Sequence, residues 1–166
     1  MRRGILAASI VVVLGVGATS CAGLDQRGSA SHRMSEWVGG TGFGDDIGTL
    51  VADNARVPKD IANGTGAVHA ACGALEDDAE MANGELPTPD QQVTNWLSTA
   101  YGLEGTAGTE CYNAGATNKT LMGNAIQDTV KAEALYDQAL ARIASIDGKS
   151  VATTTTTEGD TGGIFG

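Results

Sequence analysis

The chain has very little basic charge, aromatic surface or histidine. Ten Lys and Arg stand against twenty Asp and Glu, for a formal net charge of −10. Phosphate backbones are held by concentrated positive surface, so this balance argues against a nucleic-acid partner. Aromatic residues make up 4%, two of them Trp, so any core must be filled mainly by small aliphatic side chains. Only His32 and His69 are present. A nucleophilic triad needs a Ser or Cys, a base and an orienting group, and no serine sits in a nucleophile-elbow setting. The Cys-x-x-Cys-His of haem attachment and the Glu-x-x-His pairs of di-iron bundles are missing as well. No enzyme and no cofactor emerge from the residues. "GGTGFGDD" has the glycine content of a phosphate loop, but no strand precedes it and no Lys follows closely, so it reads as a hinge.

One long apolar run is present, at the start. Arg2 and Arg3 precede an almost wholly apolar stretch from Ile5 to Ala18, followed by the small residues "GATSC". As a helix that stretch spans about 21 Å, short of a hydrocarbon core of roughly 30 Å. It has the parts of an export signal, and residues 1–20 are therefore set apart from the fold. "Ala18-Thr19-Ser20-Cys21" is similar to the lipobox at which bacterial lipoproteins are cut before a diacylglyceryl-modified cysteine, with Ala18 where Leu is usual. The expectation is lipidation at Cys21, with plain secretion and an uncleaved anchor as alternatives. Loss of Arg2 and Arg3 makes the mature chain two units more acidic. "AGLDQRGSASHRMSE" behind the cysteine is small and polar, and residues 21–43 read as a lipidated cysteine with a flexible tether.

With Cys21 assigned to lipid, Cys72 and Cys111 remain, and a pair in an exported chain is most simply one disulfide. Closing that ring is worth roughly 4 kcal/mol in the chain-entropy model. The competing reading is a metal site, since His69 and Cys72 are spaced i, i+3, but two further ligands are lacking. The acidic run Glu76, Asp77, Asp78, Glu80, Glu85 reads as a solvated helix face, with a low-affinity cation site as the alternative.

Between residues 44 and 147 the pattern is helical, with no convincing alternating strand. The expected fold is all-α, a bundle of about four helices. The first runs from about Asp45 to Val57, with Ile47, Leu50, Val51 and Ala55 on one face. Pro58 offers the start of a second, which continues to about Asn83 on the stripe Ile61, Thr65, Val68, Cys72, Leu75, Ala79, Ala82, with a break possible near Gly64–Gly66. Four- and three-residue steps of this kind mark the seam of a bundle helix. "TPDQ" (88–91) resembles a capping box opening a third helix through Val93, Trp96, Leu97, Ala100, Tyr101 and Ala107 toward Cys111. The fourth runs from about Asn118 to Ile146. Cys72 and Cys111 lie at unequal distances from the connection near residue 86, which predicts a break in the third helix at Gly102–Gly108. The tail 148–166, rich in Thr and Gly, reads as disordered. Trp37 and Trp96 are the candidate binding residues.

"EWVGGTGFGDDIGTLVADNARV", "HAACGALEDDAE", "LPTPDQQVTNWLSTAY" and "GTECYNAG" together resemble a set of small exported actinobacterial proteins and lipoproteins of unknown function. The shared pattern is an early Trp, Ala-Cys-x-x-Leu, Pro-Asp before a Trp-containing helix, and a second Cys, over Trp37 to Ile146. The resemblance implies no catalytic residues. Such genes also occur in phages and prophages of these hosts. The reading is thus a non-enzymatic lipoprotein on the outer face of the cell membrane, anchored through Cys21 and binding another envelope protein. The alternatives are a phage-encoded block to superinfection and a carrier of a small hydrophobic ligand.

Overall fold

The computed structural model describes residues 28–148; the export signal 1–20, Cys21 and most of the tail lie outside them. Five α-helices account for nearly all of this span: α1 Ala30–Thr41, α2 Phe43–Asp60, α3 Thr65–Asn83, α4 Gln91–Ala114 and α5 Lys119–Ile146, with a 3₁₀ turn at Ile61–Asn63. No strand occurs among the described residues. None of the helices described is long and apolar enough to cross a membrane. α4 is the central element. It packs along α3 on one side and α5 on the other, while α2 lies on α3 and touches α5 only sparsely.

Each helix buries a seam of three- and four-residue steps. In α3 it is Val68, Cys72, Leu75, Ala79 and Ala82; in α5 it is Met122, Ala125, Ala132, Tyr136, Ala139 and Ile143. Alanine fills five of these eleven positions, which lets the helices approach closely.

Three boundaries differ from the expectation. Residues 30–41 of the expected tether are helical: Ser29 caps α1 by accepting from the His32 amide, and Met34 and Trp37 are buried. The Trp37 ring packs on Phe43 with centroids 4.9 Å apart, and its indole N–H donates to the Glu85 carbonyl at 3.3 Å. The bundle thus begins upstream of residue 44, with five helices rather than four. Pro58 closes α2 instead of opening α3. Its missing N–H removes one ladder bond, the helix ends two residues later, and α3 starts after Gly64.

α4 is unbroken, against the predicted interruption at Gly102–Gly108. The unequal distances of the two cysteines are absorbed by the connection. Residues 84–90 run back beside the first turns of α4, where the Thr88 amide donates to Thr94 Oγ1 at 2.9 Å. The opening cap also sits two residues later than expected: Asp90, not Thr88, accepts from the Gln92 and Val93 amides, both at 3.0 Å. With α4 overhanging the end of α3, Cys72 and Cys111 come level, Cα atoms 5.7 Å apart, and are joined.

Candidate functional site

The first-helix face expected at Val51 and Ala55 is turned. Val51 and Ala55 are exposed, and the inward stripe of α2 is Phe43, Ile47, Leu50, Asn54 and Val57. On α4 the matching stripe is Val93, Leu97, Ala100, Glu104, Ala107, Cys111 and Ala114. Two polar residues therefore occupy seam positions, Asn54 on α2 and Glu104 on α4. They meet inside the bundle, where the Asn54 side-chain amide donates to Glu104 Oε1 at 2.9 Å. Neither stands out in the sequence, because the periodic signal is carried by the apolar residues on either side of them. The signal was there: a three–four stripe through Val93 and Cys111 must pass through 104.

Glu104 is fully buried. Burial pushes its carboxyl up to about 7; the Asn54 hydrogen bond pulls the other way, and the like charge of Glu133 on α5 adds to the rise. Tyr136 on α5 lies within electrostatic reach of Glu104, and its ring is 5.8 Å from that of Tyr101. Burial raises both phenols, so they stay protonated. Three buried oxygens here have no protein partner: Asn54 Oδ1, Glu104 Oε2 and the Tyr136 hydroxyl. Left without water, each such group costs about 1–3 kcal/mol. A cavity of about 20 Å³ adjoins it, lined by Asn54, Val57, Leu75, Ala107, Ile126 and Thr129 among others. That is room for one water molecule.

Carboxyls also face each other along the other side of α2. Burial, and then the neighbouring Asp78 of α3, push Asp53 up to about 6, with Arg56 offsetting part of it. Glu85 is raised by burial and by Asp46. The acidic run thus divides. Glu76 and Glu80 border an open groove between α3 and α4, while Asp78 is turned toward α2. Among the described residues no group of three or more His, Cys, Asp or Glu stands close enough to hold a metal ion.

The remaining sequence candidates are scattered. Cys72 is bonded to Cys111, so it offers no thiolate beside His69, whose ring stacks on Tyr112 with centroids 4.1 Å apart. Trp37 is 6% exposed and spent on packing, whereas Trp96 packs against the core and stays partly exposed. A shallow groove of about 290 Å³ lies between the 3₁₀ turn and the start of α5, bordered by Ile61, Ala116, Met122, Gly123 and Ile126. Compared with known proteins, the chain matches no family model, no curated protein and no solved structure.

Proposed function

We propose that this chain is a non-enzymatic cell-envelope lipoprotein, anchored through Cys21 and using its helical bundle to bind another envelope protein. The observation that carries this reading is the Cys72–Cys111 bond. It pairs two of the three cysteines with each other and leaves Cys21, directly behind an export-type segment, as the one available for lipid. A disulfide closing a long ring belongs to an oxidising compartment, which agrees with export. A single acyl chain holds a protein to a membrane only marginally; the two or three chains of a mature lipoprotein make the attachment durable. The half-buried Trp96 is the aromatic anchor such an interface would use first.

The test is fractionation combined with cross-linking. The wild-type chain is expected in the membrane fraction and Cys21→Ser in the soluble one. A photo-reactive group at position 96 is expected to capture a discrete envelope protein. A Cys21→Ser chain that stays on the membrane would remove the anchor from the account.

The groove at Ile61, Met122 and Ile126 favours a second reading, a carrier of a small hydrophobic ligand. That reading predicts a rise in melting temperature with a fatty acid, abolished by Gly123→Phe.

A further inference from the structure

α2 is held to the bundle by a different chemistry from that of the other helices. It is entered through Gly42 and left through Gly64, with φ of +75° and +92°, backbone that favours glycine and lets the chain turn at both ends. Three side chains spaced seven residues apart, Phe43, Leu50 and Val57, bury it. Ile47 adds a partly buried fourth, and the polar groups on the inner side of α2 meet carboxyls: Asn54 reaches Glu104 of α4, Asp53 faces Asp78 of α3, and Asp46 faces Glu85 of the α3–α4 connection. Toward α5 its contacts thin out, and the cavity beside Asn54, Ile126 and Thr129 lies in that gap.

We propose that α2 is a proton-dependent latch, held down while Glu104 is neutral and lifting along its α5 edge, about Gly42 and Gly64, when that carboxyl ionises. The groups acting on Glu104 are Asn54 from α2 and Glu133 and Tyr136 from α5; the nearby seam of α3 presents uncharged Leu75 and Ala79. None of these groups supplies positive charge. Neutral Glu104 is tolerable in an apolar seam. Ionised, it has one protein donor on Oε1, none on Oε2, and a like charge at Glu133. Water must then reach it, and of the helices around it α2 has the fewest apolar anchors and the open edge.

The flanking pairs act in the same direction. Asp53 is opposed by Asp78 and eased by Arg56; Glu85 is opposed by Asp46 and eased by the Thr41 hydroxyl. A carboxyl raised in the closed state contributes its full hold below its ordinary value and loses it as the pH climbs through the raised one. For Asp53 that window runs from 3.8 to about 6, and for Glu104 from 4.5 to about 7. The latch therefore loosens on going from mildly acid to neutral pH. It does not depend on the anchor or on the partner.

Hydrogen exchange of the mature chain, followed between pH 5 and 8 and corrected for the intrinsic chemical rate, reads this directly. The opening equilibrium of α2 amides is expected to rise on the order of a hundredfold across that range, while α4 and α5 amides change little. Glu104→Gln should flatten the rise above pH 6, and Asp53→Asn should remove its lower part. Asn54→Leu takes away the one donor to Glu104, so it should move the midpoint upward. Protection of α2 that does not vary with pH would overturn the latch. So would α2 and α4 opening together, or an unaltered profile in Glu104→Gln. Should Glu104→Gln fail to fold, an unmoved midpoint in Asn54→Leu overturns it equally.

Discussion

Gly108 of α4 lies flat against Cys72 of α3: a Cβ placed on Gly108 would stand 2.9 Å from the Cys72 carbonyl oxygen and equally close to the Glu76 amide nitrogen. The helices cross here at backbone contact, one turn from the disulfide. Gly108→Ala should therefore push the helices apart and cost about 1–3 kcal/mol. Gly105, one turn earlier, has nothing within 4 Å of the same added carbon. Gly105→Ala should stabilise by about 0.5–1 kcal/mol through helix propensity alone. Urea denaturation of the two variants checks the sign; equal effects would mean that the close crossing is absent.

The second prediction concerns the disulfide. Cys72 and Cys111 are 39 residues apart in sequence and both are buried. Reduction, or the double change Cys72→Ser with Cys111→Ser, should cost about 4 kcal/mol. That is a large share of the 5–15 kcal/mol typical of a domain, and it should appear as a lowered denaturation midpoint in reductant. A midpoint indifferent to reductant would show that the ring contributes nothing to stability.

Asp90 should give the opposite pH response to the latch. Although burial pushes its carboxyl up, the Arg142 hydrogen bond and the Val93 and Gln92 amides outweigh this and hold it below the ordinary 3.8. A lowered carboxyl contributes stability above its ordinary value and loses it as the pH falls through the lowered one. Asp90→Ala removes the α4 cap and the Arg142 contact at 2.9 Å, and should cost about 1–2 kcal/mol at neutral pH. The loss should shrink in strong acid, where the wild type forfeits the same interaction. Thermal unfolding at pH 7 and pH 2.5 measures both.

The Tyr136 hydroxyl is buried with no protein partner. Tyr136→Phe keeps the ring against Tyr101 and removes only the orphaned group, so stability should be unchanged or higher by up to about 1 kcal/mol. Tyr136→Ala should cost about 3–5 kcal/mol by emptying the seam. A large loss in Tyr136→Phe would reveal a bridging water worth keeping.

Much of the bundle could be read from periodicity, and the exceptions have physical causes. α3 ends at Asn83 and α5 runs from its Asn118 cap to Ile146, where stripes and stop signals coincide. α1 was hidden because Met34 and Trp37 are too short a pattern to announce a helix, and Gly39 and Gly40 follow them. Packing of Trp37 on Phe43 supplies what propensity does not. The unequal distances of Cys72 and Cys111 from the turn point to a break at the glycines of α4, because periodicity does not show that residues 84–90 let α4 overhang α3 or that Gly108 permits a close crossing. Asn54 and Glu104 are hidden in the sequence for the same kind of reason. A buried carboxyl is stabilised by what surrounds it, and a single chain read residue by residue does not show that Asn54 will be across the seam.

The most direct test of the central claim is the intact mass of the protein from its native membrane fraction, after alkylation without reductant. The account predicts a chain that begins at Cys21, is heavier by a multiply acylated glyceryl group, and carries no alkylated thiol. A chain without lipid that takes up alkylating agent at Cys72 or Cys111 would contradict both the anchor and the exported, oxidised fold.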